Sequence, residues 1–153
     1  MKLVNNIHFR VFCNPEEDKE KIKNALFSLV EYSPEQLSGE KINYKETNAK
    51  GFSQKTIVIM ELTFEKERHC NKFLKKLDEV LSAEDKALLV EQVNRLDDNM
   101  NFFLRFDKGA LIEGKYVLTD GGNCFHLSMN IEAHPRRRDV AHRIVKRIFS
   151  KEK

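Results

Sequence analysis

A chain of 153 residues, 41% apolar and 33% charged, has the size and composition of one folded domain with a highly charged surface, which excludes a disordered segment. Its longest apolar runs, such as residues 56–60, are far too short to cross a bilayer. Met1 to Asn6 offers no apolar stretch or small-residue cleavage site, so the expected location is the cytoplasm, without membrane contact. The net charge of +3 is unevenly placed: residues 136–153 hold eight Lys or Arg against two acids, a net +6, which leaves −3 for the 135 residues before them.

Residues 4–13 alternate, with Ile7, Phe9, Val11 and Cys13 on one face and His8 and Arg10 on the other, which predicts a half-buried strand. Asn14-Pro15-Glu16-Glu17 then reads as a helix start, with Asn14 as N-cap, Pro15 in the first turn and Glu17 three after the cap. This helix is expected to reach about Val30 and to bury Ile22, Leu26, Leu29 and Val30, ending at Tyr32-Ser33-Pro34. Residues 33–53 are polar and hold Pro34, Gly39 and Gly51, so a loop is expected there, with a weak edge strand near residues 41–47.

Residues 54–63 predict a strand apolar on both faces and therefore central. Residues 64–81 predict a helix with a stripe of Phe73, Leu74, Leu77, Val80 and Leu81. Ser82-Ala83-Glu84-Asp85 opens another, continuing through Leu88, Leu89, Val93 and Leu96. Residues 101–107 alternate again, Phe102, Leu104 and Phe106 against Phe103, Arg105 and Asp107. After a small-residue connection over 108–114, read as loop or one helical turn, strands over 115–119 and 123–134 are expected to form a hairpin around Asp120-Gly121-Gly122. In the second of these, His126, Ser128, Asn130 and Glu132 point away from the core. A final helix is expected from Pro135 to about Phe149. Strand, polar residue, proline and helix thus recur over 9–29 and 127–149, a possible pseudo-repeat. The whole order predicts a single α+β domain over 1–153, a twisted, mainly antiparallel sheet with helices packed on one face.

The last helix is the strongest candidate for chemistry. Val140, Ala141, Ile144, Val145 and Ile148 share one face, while Arg136, Arg143, Lys146 and Arg147 share the opposite one. Any docked helix presents a solvated charged face, yet here only Asp139 interleaves. Arg136, Arg137 and Arg138 also stand at the expected N-terminus, where cations oppose the helix dipole unless an anion joins them. The outward positions of the strands, His8, Arg10, Arg105, His126, Ser128 and Asn130, form a second polar surface, suited equally to solvent or to RNA phosphates.

Cys13, Cys70 and Cys124 are odd in number and widely spaced, so they are expected as buried thiols rather than a disulfide framework. Cys124 with His126, and His69 with Cys70, have no second pair at ligand spacing, so neither a metal nor another cofactor is expected. The carboxylates Glu61, Asp107 and Glu132 lie on different strands without a paired motif, and no phosphate-binding loop, dinucleotide fingerprint or nucleophile elbow is present.

The runs from His8 to Phe12 and from Asn14 to Asp18, the strand over 56–62, Phe103 to Lys108, Gly114 to Gly122 and Ile131 to Pro135 together resemble a family of archaeal proteins. Members are described as RNA-binding and as expected subunits or associates of the exosome. The resemblance implies a fold similar to the large-subunit ribosomal protein that holds the small ribosomal RNA, and gives no catalytic residues. The expected function is accordingly RNA binding in RNA processing or degradation, with no catalysis of its own. Phosphate contacts are expected from Arg136, Arg137, Arg138, Arg143, Lys146 and Arg147, and secondarily from Arg10, Arg105, Lys108 and His126. The alternatives are a protein-interaction module of a larger, exosome-like assembly, its basic helix meeting an acidic protein, and a metal-dependent nuclease using Asp107, Glu61, Glu132 or His126. A homodimer through the edge strand near 41–47 is a further possibility.

Overall fold

The computed structural model describes residues 1–50 and 55–150. The expected α+β architecture is the observed one: a five-stranded antiparallel sheet, in the order β2-β3-β1-β5-β4, with six helices packed against it. Strand β1 (Val4–Cys13) is the middle strand, and its Ile7, Phe9, Val11 and Cys13 are buried while His8, Arg10 and Phe12 are not. The alternation slips at Asn5 and Asn6, both half-buried.

Strand β2 (Asn43–Lys50) is the edge strand suspected from sequence, paired antiparallel with β3 (Thr56–Phe64) from Asn43 opposite Thr63 to Lys50 opposite Thr56. Strand β3 lies inside the sheet but not at its middle, and Ile57, Val58 and Ile59 are only half-buried because they run beside the exposed edge. The expected start of this strand at Gln54 lies outside the described residues. Strands β4 (Asn101–Asp107) and β5 (Cys124–Ile131) follow the expected alternation.

The expected hairpin over 115–134 does not form. Residues 115–119 make no strand with β5; Leu118 instead forms a lone antiparallel bridge with Phe106. Asp107 N–H donates to the Val117 carbonyl at 2.8 Å, and Thr119 N–H to the Arg105 carbonyl at 3.0 Å. The turn residues Asp120, Gly121 and Gly122 therefore lead from the side of β4 to β5.

The chain divides into two compact units. The first holds residues 1–7, 64–104 and 128–150, with helices α3 (Glu67–Val80), α4 (Ala83–Glu91) and α6 (Arg138–Phe149). Helix α6 packs on both α3 and α4. Val145, Ile148 and Phe149 enter the core, where the Phe149 ring lies 5.9 Å from that of Phe102. Ser82 caps α4 as expected, its hydroxyl accepting from Asp85 N–H at 3.1 Å. The helix stops at Glu91, and Val93–Arg95 is a 3-10 turn rather than its continuation. Helix α3 begins at Glu67, because Phe64 completes β3 with its ring beside Phe73.

The second unit holds residues 8–50, 55–63 and 105–127, with helices α1 (Lys19–Val30), α2 (Pro34–Gly39) and the short α5 (Lys108–Ile112). Helix α1 starts four residues later than expected. Glu17 reaches back to Asn14 with its carboxylate accepting from Asn14 N–H at 3.0 Å, but Glu17 N–H donates to the Asn14 backbone carbonyl at 3.0 Å and not to its side chain, so the pair closes a turn and not a capping box. Asp18 is the cap, accepting from Glu20 and Lys21 N–H. Helix α2 was expected as loop. Its start carries the full signature in Ser33-Pro34-Glu35-Gln36: Ser33 accepts from Gln36 N–H and the Gln36 side chain accepts from Ser33 N–H.

Candidate nucleic-acid interface

In the second unit the strands bring His8, Arg10, Arg105 and His126 together. Alternation leaves these side chains on the face opposite the buried Phe9, Val11, Phe106 and Phe125. His126 is half-buried; burial lowers its imidazole below the ordinary value, and the fields of Arg10, Arg105 and His8 lower it further. Three groups that carry or accept positive charge thus converge on one imidazole, an arrangement that a bound anion relieves. His8 Nε2 meets a Glu61 carboxylate oxygen at 2.9 Å, and Lys45 Nζ approaches the other oxygen of Glu61 at 3.9 Å. Arg105 donates from Nη1 to the Asp120 carbonyl at 3.0 Å, which holds the guanidinium against the turn.

Phe12 belongs to this surface. It is 42% exposed, and the Arg10 guanidinium lies 5.5 Å from its ring centroid. The residue was legible: the alternation that places His8 and Arg10 outward also places Phe12 outward. Its aromatic ring, stacked by a cation, is a surface on which a nucleobase can lie.

Lys108 does not join it. The side chain is buried, at 3% exposure, and its ammonium donates to the Phe12 carbonyl at 2.7 Å and to the Glu17 carboxylate at 3.0 and 3.3 Å. Burial pushes the Glu17 carboxyl upward, but the Asn14 N–H and the Lys108 ammonium outweigh it and hold the group below its ordinary value. The expectation of a phosphate contact at Lys108 is therefore corrected: the residue is an internal strut between β1 and the turn before α1.

In the first unit, the basic segment divides in two. Helix α6 begins at Arg138, not Pro135, because Arg137 keeps an extended backbone as its N-cap. The three leading arginines have internal partners. Arg136 donates to the Asn99 carbonyl at 3.2 Å and Arg138 to the Leu96 carbonyl at 2.8 Å, while Arg137 forks onto Asp139 at 3.1 and 3.3 Å. Asp139 also takes the anionic place in the first turn; Arg137 and the Val140 N–H lower its carboxyl more than burial raises it. The expected phosphate position at this helix start thus already holds a carboxylate of the chain itself. Arg143, Lys146 and Arg147 remain exposed along α6, with Arg143 loosely paired to Asp139 at 3.5 Å.

The carboxylates considered for hydrolysis have separate engagements. Asp107 caps α5 by accepting from Ala110 N–H at 2.9 Å, Glu61 pairs with His8, and Glu132 pairs with Lys2 and His134. Among the described residues, no three His, Cys, Asp or Glu side chains gather as metal ligands. The three cysteines are free and buried, and burial pushes the Cys70 thiol up to about 11. None of the described helices is long and apolar enough to cross a membrane.

Comparison with known proteins places the chain among relatives of similar length and fold. The chain is 28% identical over 142 residues to the RNA-binding protein PAB1135 of Pyrococcus abyssi, covering 92% of this chain and 90% of that one. Among solved structures it is similar to Mth689, a DUF54 protein from Methanothermobacter thermautotrophicus, at a TM-score of 0.78 and 26% identity over 97% of this chain and 99% of that one. SSO0741 from Sulfolobus solfataricus is also similar, at a TM-score of 0.73 and 25% identity over 96% and 99%. A family model described as RNA binding matches residues 6–133, and on that match the chain belongs to the RNA-binding family.

Proposed function

We propose that this protein binds RNA in RNA processing or degradation, without catalysing a reaction itself, through two surfaces. One is the open sheet face of the second unit, with Arg10, Arg105 and His126. The other is the outer ridge of α6, with Arg143, Lys146 and Arg147. The observation that carries the proposal is that β5 runs between β1 and β4, so that Arg10, His126 and Arg105 stand on one face of three neighbouring strands, a set of donors from which a phosphate can accept. Membership of the RNA-binding family supports it. Association with an exosome-like assembly belongs to the same proposal and rests on the family resemblance alone.

The test is a salt titration of RNA affinity for the wild type, Arg10→Ala/Arg105→Ala and Arg143→Ala/Arg147→Ala. Removing one phosphate-binding side chain should reduce the log–log salt slope by about 0.7 on a single strand, so each double variant should show a slope smaller by up to about 1.4. Slopes unchanged in both variants would remove both surfaces from RNA binding. A stoichiometric partner that survives nuclease treatment would then favour the protein-docking alternative.

A further inference from the structure

We infer that the open face of the second unit is a single-strand subsite: Phe12 stacks an unpaired base while Arg10 and Arg105 hold the adjoining phosphates. The inference rests on the RNA-binding reading of that face and adds the class of RNA.

Three observations carry it. First, Phe12 is a large apolar ring left 42% exposed in the middle strand of the sheet, although the same strand buries Phe9 and Val11 at 1%. An aromatic ring at that position offers a face that every unpaired base can stack on, whereas bases inside a duplex are already stacked and present only their edges.

Second, the ring is not isolated. Arg10 lies over it at 5.5 Å, and side chains two apart on a strand emerge on one face about 6.7 Å from each other, so base and phosphate sites adjoin. A polyanion threaded across this face meets Arg10 and Arg105, and the carboxylates Glu61 and Asp107 on its strands already have partners in His8 and the Ala110 N–H.

Third, the ring's backbone is pinned from behind. The buried Lys108 ammonium donates to the Phe12 carbonyl at 2.7 Å and is itself held by Glu17 at 3.0 Å. Lys108 is thus a positioning residue for Phe12. A strut inside the protein fixes the strand end that carries the exposed ring, and a preorganised stacking platform loses less entropy on binding.

The experiment compares binding of a short oligouridine, the same backbone with abasic residues, and a perfectly paired RNA hairpin. The proteins are the wild type, Phe12→Ala, Phe12→Trp and Arg10→Ala/Arg105→Ala, each first shown to be folded by its thermal transition. Phe12→Ala should weaken oligouridine binding about 5- to 150-fold, the value of one stacked base, with little effect on the abasic strand or the hairpin. Its salt slope should remain that of the wild type, and Phe12→Trp should restore affinity. Equal weakening on all three RNAs, or none on oligouridine, overturns the single-strand subsite. If Arg10→Ala/Arg105→Ala also leaves every slope unchanged, the RNA-binding reading of this face fails with it. If that variant loses slope while Phe12→Ala is silent, phosphate binding stands and only the stacking role falls.

Discussion

Replacing Lys108 by Met tests whether a residue that looks like a phosphate ligand in sequence is an internal strut. Methionine keeps most of the apolar stem and removes the ammonium. Its three bonds, 2.7 Å to the Phe12 carbonyl and 3.0 and 3.3 Å to Glu17, vanish together. Removing one member of a fully buried pair costs about 3–5 kcal/mol. Glu17 retains 24% side-chain exposure, so water reaches the orphaned carboxylate and the cost falls to about 2–4 kcal/mol. For a chain of this size that lowers the melting temperature by roughly 5–15 °C. Denaturant titration should show a lower midpoint at unchanged slope, and a double-mutant cycle with Glu17→Gln should give a coupling above about 0.5 kcal/mol. The salt dependence of RNA binding, measured where the variant is folded, should not move. A stability change below about 0.5 kcal/mol together with a salt slope reduced by about 0.7 would refute the strut and restore Lys108 as a phosphate contact.

Two further outcomes follow from titrating groups. The folded His126 titrates below its unfolded value of 6.5, so it contributes stability that is complete above that pH and is lost as pH falls through the lower folded value. A phosphate beside it reverses the shift: the His126 imidazole resonances should titrate upward when RNA is added, and affinity should rise below pH 6.5, less so in His126→Gln; an unmoved titration removes His126 from the contact. On β2, the Lys19 hydrogen bond, with Tyr44 and Lys23 and against burial, holds the Glu46 carboxyl at about 2, where the ordinary value is 4.5. The stability it contributes is present above 4.5 and lost as pH falls toward 2, so the difference between wild type and Glu46→Gln should shrink across that window; a constant difference would mean that the ion pairs seen with Lys19 at 2.7 Å and Lys23 at 3.2 Å do not bear on folding.

Much of the fold was legible because burial imposes its period on the sequence. Strands β1, β4 and β5 declare themselves by alternation, and α6 by its apolar stripe. The errors fall where a local signal serves a different local purpose. Asn14-Pro15-Glu16-Glu17 satisfies every rule for a helix start, but the Glu17 carboxylate is drawn to Lys108, which lies 91 residues away in sequence, and Asp18 becomes the cap instead. Asp120-Gly121-Gly122 has hairpin composition, yet β4 competes for residues 117–119 and takes their backbone bonds. The missed helix α2 differs in kind. Ser33-Pro34-Glu35-Gln36 carried its signal openly, and a segment otherwise polar enough to read as loop obscured it.

The candidate site divides along the same line. Which side chains face outward on one strand follows from counting by twos, and Arg10, Phe12, Arg105 and His126 all obey it. That they become neighbours depends on β5 lying between β1 and β4, an order that no single strand encodes. The basic C-terminal segment shows the opposite failure: its charge was plain, but charge does not reveal whether a guanidinium has a partner inside the fold. Arg136 and Arg138 reach carbonyls 37 and 42 residues earlier in the chain while remaining exposed, and Arg143, Lys146 and Arg147 are exposed along the outer face of a packed helix. The helical period sets Arg143, Lys146 and Arg147 on one ridge, whereas long-range bonds to the Asn99 and Leu96 carbonyls tie Arg136 and Arg138 to the segment before β4, a distinction that the density of arginines does not carry.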